Sequence, residues 1–229
     1  MIAGNKTTVN GSMNYYVQES PSVKRRCYAF VKRAFDIVAS AAALIILSPV
    51  MLIAAILVYV DDPGKVFYGH VRIGKNGKPF KMWKFRSMYM NADKMIDLLT
   101  PEQAKQYYTE FKIDNDPRIT KIGNFLRKTS LDELPQLFNV LCNDMSLVGP
   151  RPLIESEIQT YYEDTHDVLL AVKPGVTGYW QAYARNNATY QSGERQKMEM
   201  YYVQNASLWL DIKILFKTVV SVLRKDGAK

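Results

Sequence analysis

The chain has 229 residues, a hydrophobic content of 48% and a formal charge of +8, so it can bury the core of one ordinary domain. The charge favours an anionic partner, for which nucleic acid, anionic lipid and a nucleotide sugar are the alternatives. With two histidines and two widely separated cysteines, the composition argues against histidine-based zinc chemistry, a Ser-His-Asp triad and a redox or metal cysteine pair.

The beginning of the chain predicts a tail followed by a membrane segment. Residues 1–23 are polar and carry no apolar period, which indicates a flexible tail without a signal peptide. Five basic residues lie between Lys24 and Arg33, ahead of the uncharged run from Ile37 to Val60. A helix over that run would be about 36 Å long, which is enough to cross a bilayer.

Ser48 and Pro49 interrupt the middle of this apolar run. Proline removes a backbone hydrogen bond, and the Ser48 hydroxyl can bond a backbone group that the break releases. Two geometries follow: a spanning helix with a kink, or a re-entrant hairpin whose ends face the same side. Basic residues on both flanks favour re-entry under the positive-inside rule.

A β-hairpin is predicted next. Val66 to Ile73 and Pro79 to Met88 read as strands, and the Asn-Gly pair between them is typical of a hairpin turn. We predict that Lys81, Lys84 and Arg86 lie on one face of the second strand. That face is either solvated or binds phosphate.

The stretch from Leu126 to Pro152 concentrates charge and helix-start signals. Ser130 is a good N-cap residue and Glu133 stands three places later, so we expect a helix with Asp132 and Glu133 in its first turn. A capping box alone accounts for these acids. The nearby cations Arg127 and Arg151 are not needed for a cap, and they favour a phosphate site in which the carboxylates hold Mg²⁺ or attack phosphorus.

The last third of the chain predicts two helices and a loop. A helix is expected over residues 152–172, with acids that are mostly surface charges. Residues 173–181 contain two glycines, a proline and two adjacent aromatics, which predicts a loop that either packs internally or approaches a flat ligand. Leu208 to Leu223 is amphipathic, as expected of a core helix or of one in the membrane interface.

Five segments in this order resemble the bacterial sugar transferase family, the monotopic phosphoglycosyl transferases that load a lipid carrier. They are KRAFD (Lys32 to Asp36), KFRSM (Lys84 to Met88), LRKTSLDELPQ (Leu126 to Gln136), MSLVGPRP (Met145 to Pro152) and KPGVTGYWQ (Lys173 to Gln181). The sequence departs from the family pattern at Tyr183 and Ala184, which leaves recognition of the sugar open.

The resemblance implies an α+β, mainly helical fold. A re-entrant membrane helix-break-helix with its break at Ser48 and Pro49 would precede a cytoplasmic catalytic domain with a small β-hairpin and amphipathic interfacial helices. The expected divisions are a tail (1–23), a basic segment with the membrane helix (24–60) and the catalytic domain (61–229).

The resemblance also assigns roles. Asp132 would be the nucleophile that forms a phosphosugar-aspartyl intermediate, and Glu133 would hold Mg²⁺. Phosphate would be bound by Lys84, Arg127 and Arg151. The nucleotide or sugar would be contacted by residues of the last motif and its neighbour, namely Pro174, Gly175, Thr177, Gly178, Gln181 and Arg185.

The implied reaction moves a sugar 1-phosphate from a UDP-sugar to a polyprenyl phosphate such as undecaprenyl phosphate, with release of UMP. The enzyme would lie at the bacterial cytoplasmic membrane, with its catalytic domain on the cytoplasmic face beside anionic lipid. No nucleic acid is expected as a partner, and a homodimer is compatible with the sequence. The alternatives are a membrane-tethered nucleic-acid binder and a non-catalytic scaffold of an envelope assembly; the former lacks any nucleic-acid-binding motif.

Overall fold

The computed structural model describes residues 23–104, 113, 116–184 and 188–223, and it is mainly helical with two small sheets. The α-helices are α1 (Val23–Asp61), α2 (Lys121–Thr129), α3 (Gln136–Leu141), α4 (Glu155–Tyr161), α5 (His166–Leu169), α6 (Tyr179–Tyr183), α7 (Glu194–Asn205) and α8 (Leu208–Leu223). The strands are β1 (Phe67–Ile73), β2 (Pro79–Phe85), β3 (Ser146–Val148) and β4 (Gly175–Thr177). The predicted tail lies outside the described residues, except that Val23 already begins α1.

The predicted hairpin is confirmed. β1 and β2 pair antiparallel from Phe67 opposite Phe85 to Ile73 opposite Pro79. Asn76 and Gly77 both have positive φ, 58° and 73°, which are the left-handed conformations that tight hairpin turns require. The second strand ends at Phe85, three residues before the predicted end.

Part of the loop predicted over residues 173–181 is a strand instead. β3 and β4 pair in parallel, with Ser146 opposite Gly175 and Val148 opposite Thr177. This pairing joins the segments MSLVGPRP and KPGVTGYWQ, and α6 follows β4 almost directly. The predicted helix over 152–172 is likewise two short helices, α4 and α5.

α1 is the one helix in the described part of the chain that is long and apolar enough to cross a membrane. It continues through Pro49, whose missing N–H would otherwise have bonded the Ile45 carbonyl. The Ser48 hydroxyl donates to that same carbonyl at 2.8 Å. The expected compensation of the proline by Ser48 is therefore present.

The C-terminal half of α1 packs on the acid-bearing part of the domain. Met51, Ala54 and Val58 are buried against Phe85 of β2 and Leu126 of α2. At the end of the helix, the Asp61 carboxylate accepts a hydrogen bond from the Ile122 amide at 3.1 Å, at the start of α2.

The N-terminal half of α1 contacts another part of the same domain. The Arg33 guanidinium donates to the carbonyls of Val140 and Leu141 at 2.7 and 3.0 Å, where α3 ends. The buried Asp36 carboxylate accepts from the Leu147 amide in β3 at 3.1 Å. Both halves of the apolar helix are thus fastened to one globular unit.

α8 is found at its predicted bounds and has two different faces. Ile214 is fully buried in a cluster with Val148 and Tyr202, whereas Trp209 and Phe216 are 66% and 72% exposed. One face of α8 therefore packs in the core, as one of the two predictions for this helix has it. Its other apolar face is uncovered within the described chain.

Candidate active site

The two adjacent acids meet a lysine from the hairpin. Lys84 Nζ lies 2.7 Å from Glu133 Oε1 and 3.9 Å from Asp132 Oδ2. Asp132 is only 6% exposed, while about a quarter of the Glu133 side chain reaches solvent. One carboxylate is therefore held inside the site and the other at its opening, and both are beside a cation.

The acids do not begin an α-helix, contrary to the prediction. Ser130 is instead the C-cap of α2, with a left-handed φ of 57°, and its amide donates to carbonyls of the preceding turn. Asp132 and Glu133 lie in a 3-10 turn, Leu131–Glu133, and α3 starts after Pro135. The Thr129 hydroxyl donates to the carbonyls of Phe125 and Leu126, so Thr129 and Ser130 both serve the end of the previous helix.

The turn is held in place by its own leucines. Leu131 and Leu134 flank the acids and pack on the cluster that contains Leu126, Phe85 and Met51. Because that cluster includes the C-terminal half of α1, the acidic turn is fixed relative to the apolar helix by hydrophobic burial. The carboxylates are positioned by packing on both sides of them.

Arg127 supplies a second cation. Its Nε donates to Ser87 Oγ at 2.8 Å, which holds the side chain against the segment that follows β2. Burial lowers the pKa of the Arg127 guanidinium, and the negative charges of Asp132 and Asp116 oppose that change. The charge of Asp132 therefore favours the charged form of Arg127.

The three cations of β2 do not share one face, which corrects the prediction. Lys81 is paired with Val71 and Lys84 with Tyr68, so their side chains point to opposite faces of the hairpin. Arg86 lies beyond the strand, where it is buried, forms an ion pair with Asp62 at 3.6 Å and donates to the carbonyl of the same residue. Of the three, Lys84 alone joins the acids.

Arg151 belongs to a neighbouring group of side chains. Its guanidinium carbon lies 5.9 Å from the centre of the Trp180 ring, and the Arg195 guanidinium stacks on the same ring at 4.1 Å. The backbone amide of Arg151 faces both carboxylate oxygens of Glu199 at 3.3 Å. Arg151 therefore lies against Trp180 and Glu199.

We call this neighbouring group the arginine cluster; it consists of Arg72, Arg151 and Arg195 with Glu157, Glu199, Trp180 and Tyr190. Arg72 Nη1 pairs with Glu157 at 3.1 Å, and the Tyr190 hydroxyl donates to the same carboxylate at 3.0 Å. Tyr190 in turn lies 3.8 Å from the Arg195 guanidinium. The seven side chains form one connected set.

Burial changes the titration of this cluster. It lowers the pKa of Arg72 to about 10, an effect that the charge of Arg151 reinforces and that of Glu157 opposes. Complete burial raises the pKa of Glu199 to about 7, against the pull of Arg195 and of the Arg151 amide. Burial therefore favours the uncharged forms of both Arg72 and Glu199.

The predicted nucleotide-binding glycines serve a packing role. A Cβ on Gly175 would overlap the Gly149 amide nitrogen, and one on Gly178 would overlap the Gly149 carbonyl oxygen. The Gly175 amide donates to the Pro150 carbonyl at 2.8 Å. This close backbone contact fixes Arg151 relative to Trp180.

The other residues predicted to contact the nucleotide or sugar differ in their surroundings. The Pro174 carbonyl accepts from the Ser146 amide, and the Thr177 hydroxyl is buried against that of Thr218 at 2.8 Å. Gln181 Oε1 is buried and has no hydrogen-bond partner among the described residues. Arg185 lies outside the described residues.

The residues at the acidic turn fit a magnesium ion bound together with a substrate. No group of three or more histidine, cysteine or acidic side chains that could hold a metal occurs in the described ranges. Mg²⁺ is commonly bound by one or two carboxylates together with substrate phosphates and waters. Asp132 and the more exposed Glu133 offer that donor set.

Sequence reasoning missed four charged members of the arginine cluster, namely Arg72, Arg195, Glu157 and Glu199. Glu157 was expected among ordinary surface charges, but it is 6% exposed and ion-paired. The only available signal was the spacing of Arg195 and Glu199, four residues apart on α7. That spacing is also usual for solvent-exposed pairs, so it did not distinguish a buried cluster.

Comparisons with known proteins are consistent across most of the chain. A family model described as bacterial sugar transferase matches residues 27–225. The chain is 50% identical over 210 residues to the undecaprenyl-phosphate galactose phosphotransferase of Salmonella typhimurium, a match that covers 90% of this chain and 43% of that protein. It is 43% identical over 195 residues to the UDP-glucose:undecaprenyl-phosphate glucose-1-phosphate transferase of Escherichia coli, covering 82% and 39% respectively.

A further relative matches over nearly its whole length. The exopolysaccharide production protein ExoY of Rhizobium meliloti is 40% identical over 224 residues, which are 96% of this chain and 98% of that protein. The chain thus spans less than half of the Salmonella and Escherichia proteins and nearly all of ExoY.

Proposed function

Because this chain belongs to the bacterial sugar transferase family, we propose that it transfers a sugar 1-phosphate from a UDP-sugar to undecaprenyl phosphate and releases UMP. The observation that carries the proposal is the position of Lys84 beside the carboxylates of Asp132 and Glu133. A nucleophilic carboxylate requires a nearby cation to bring an anionic phosphate close to it. Similar proteins are named for galactose and glucose phosphotransfer to this lipid.

The reaction takes two displacements at one phosphorus. An Asp132 carboxylate oxygen attacks the β-phosphorus of the donor, the bond to the bridging oxygen breaks, and UMP leaves with the bonding electrons. An oxygen of undecaprenyl phosphate then attacks the same phosphorus, and the bond to Asp132 breaks. The product is a lipid-linked sugar diphosphate, and the carboxylate is restored.

The cations around the acids have separate tasks. Lys84 neutralises phosphate charge as a compact point charge, and Arg127 offers a planar guanidinium to phosphate oxygens. Glu133 would hold Mg²⁺ with the substrate phosphates, and bound Mg²⁺ would neutralise charge that develops on the leaving phosphate.

The membrane arrangement proposed here is re-entry of α1. A spanning helix places its two ends on opposite sides of the bilayer, whereas Arg33 and Asp61, near opposite ends of α1, both bond the same globular unit. Both contacts are compatible with a helix that enters and leaves on the cytoplasmic side. The uncovered face of α8, with Trp209 and Phe216 beside Lys213, suits the membrane interface.

Trapping the covalent intermediate tests the chemistry. Incubation with a UDP-sugar labelled on the sugar should leave label on Asp132, and undecaprenyl phosphate should remove it. Asp132→Asn should form neither adduct nor lipid product, and Glu133→Gln should lose activity or need much more Mg²⁺. Lipid product from Asp132→Asn would exclude the nucleophile assignment. Screening UDP-galactose, UDP-glucose and N-acetylated donors for UMP release identifies the sugar.

The two natural cysteines test the topology, because Cys27 precedes the apolar run, Cys142 lies in the globular domain, and both are exposed. A membrane-impermeant thiol reagent should label Cys142→Ser and Cys27→Ser proteins from the same side of the membrane. Labelling from opposite sides would establish a spanning helix.

A further inference from the structure

The arginine cluster carries more positive than negative charge. Three guanidinium groups face two carboxylates, and one of these, Glu199, has its pKa raised to about 7 by burial. The charge of Arg151 also lowers the pKa of both Arg72 and Arg195. Like charges gathered in a water-poor place are unfavourable unless an anion joins them.

Hydrogen bonding in the cluster is incomplete as well. Arg195 is 8% exposed and is stacked between Trp180 and Tyr190, yet its Nε and Nη2 have no acceptor in the described structure. Arg72 Nε is buried and lacks an acceptor too. Buried guanidinium donors are normally satisfied, so the described side chains leave the positive charge of these two groups incompletely balanced.

One strand connects this cluster with the acidic turn. Tyr68, His70 and Arg72 alternate along β1 and therefore share one face, and Lys84 lies opposite Tyr68 on that same face. His70 stands between the two groups. Burial, Arg72 and Lys84 all lower its pKa, whereas Glu157 opposes them.

We propose that the arginine cluster binds the phosphate that stays with the nucleotide when the sugar phosphate is transferred. Arg151, the partly exposed member, contacts the phosphate, and Arg72 and Arg195 raise the positive potential behind it. Lys84 and Arg127 then hold the transferred phosphate, so the diphosphate lies along β1 with one phosphate in each group. The inference rests on the proposed function and adds which cations hold which phosphate.

UMP binding to the full-length protein in nanodiscs, measured by calorimetry, tests the site. Arg195→Gln and Arg151→Gln should each weaken UMP binding at least tenfold, and Arg195→Lys should lose less because it keeps the charge. Lys197→Gln removes the same charge from the exposed side of the same helix, and it should bind UMP as the wild type does. Uridine, which lacks phosphate, should bind far more weakly than UMP to every variant.

His70 provides a local readout. The chain has two histidines, so the NMR signals of ¹³C-labelled histidine are assigned by a His166→Gln variant. Saturating UMP should raise the pH midpoint of His70 by at least half a unit because the anion offsets the charges of Arg72 and Lys84. The midpoint of His166, in the α5 segment, should not change, and uridine should move neither.

The outcomes separate this inference from the proposed reaction. Unchanged UMP affinity in folded Arg195→Gln or in Arg151→Gln would overturn the inference. A pH midpoint of His70 that UMP does not change would overturn it as well. Thermal unfolding establishes which variants are folded, and if Arg195→Gln is not, the comparison of Arg151→Gln with wild type decides. Asp132→Asn should still bind UMP. A wild-type protein that binds UMP but transfers no sugar phosphate would count against the proposed reaction and not against this inference.

Discussion

At the scale of single residues, one lysine distinguishes the active face of the hairpin from its solvent face. Lys84 contacts Glu133 at 2.7 Å, whereas Lys81 is exposed on the other face of the same strand. Replacing a cation that stabilises developing phosphate charge should cost far more activity than replacing a solvated one.

Lys84→Met should therefore lower kcat/KM for sugar phosphate transfer by about 100-fold or more, in line with the loss of one preorganised charged donor. Lys81→Met, a matched change on the same strand, should stay within about twofold of the wild type. Equal losses in both variants would show that Lys84 acts through general surface charge and not at the acids.

Glu199 makes stability depend on pH. Its carboxyl is completely buried, and its pKa is raised from 4.5 to about 7. The folded state therefore holds the proton more tightly than the unfolded state does. The protonated carboxyl therefore stabilises the folded state fully below about pH 4.5. This contribution is lost as the pH rises through about 7, which lowers the free energy of unfolding by about 3 kcal/mol.

Thermal unfolding between pH 4.5 and 8 should reveal this contribution. Glu199→Gln should flatten the decline because its amide does not titrate in this range. Glu194→Gln, an exposed change on the same helix, should keep the wild-type slope. The same slope in both variants would remove Glu199 as the cause.

At the scale of elements, three glycines let two segments approach at backbone distance. Gly149 follows β3, Gly175 begins β4, and Gly178 precedes α6. Their missing side chains leave the space in which one segment crosses the other. The contact sets the position of Arg151 against Trp180. The glycines of these two sequence motifs therefore act first through packing.

Gly175→Ala should destabilise the protein by about 3 kcal/mol or more, because the new methyl group would meet backbone that cannot rotate away. Gly77→Ala is the matched test, since nothing lies within 4 Å of a Cβ there and only its positive φ of 73° is unfavourable. Gly77→Ala should lower the free energy of unfolding by about 1 kcal/mol. The ratio of the two losses in thermal unfolding checks the argument, and equal losses would contradict it.

At the scale of the whole molecule, the long apolar helix and the globular unit are joined by a buried carboxylate. Asp211 of α8 accepts hydrogen bonds from Tyr28 and Lys32 of α1, each at 2.9 Å, and from Tyr202 at 2.7 Å. Because Asp211 is 5% exposed, its removal would leave the Lys32 ammonium partly buried without its anion.

Asp211→Asn should therefore lower the free energy of unfolding by about 3 kcal/mol and make the α1–α8 junction more sensitive to protease. Asp167→Asn is the control, because that carboxylate is 89% exposed and its replacement should change stability by less than about 0.5 kcal/mol. An Asp211 variant as stable as the control would mean that hydrophobic contacts alone hold α1.

The sequence alone determined the apolar helix with its compensated proline, the hairpin with its Asn-Gly turn and the last helix. Each depends on local chemistry: an uncharged run, left-handed turn residues and a regular apolar period. Through the family resemblance it also grouped Lys84, Arg127 and Arg151 with the two acids in one predicted site, and in the structure Lys84 lies beside both acids.

Only the tertiary structure decided that Ser130 ends a helix, that Lys81 and Lys84 face opposite ways, and that Arg151 joins Arg72 and Arg195. Whether Ser130 begins or ends a helix depends on which of the two neighbouring helices it caps. The opposite orientations of Lys81 and Lys84 follow from the strict alternation of side chains along a paired strand. The position of Arg151 arises because Gly149 and Gly175 pack backbone to backbone between segments far apart in the chain. Such long-range contacts leave no periodic signal in a single sequence, since they depend on which surfaces meet when the chain folds.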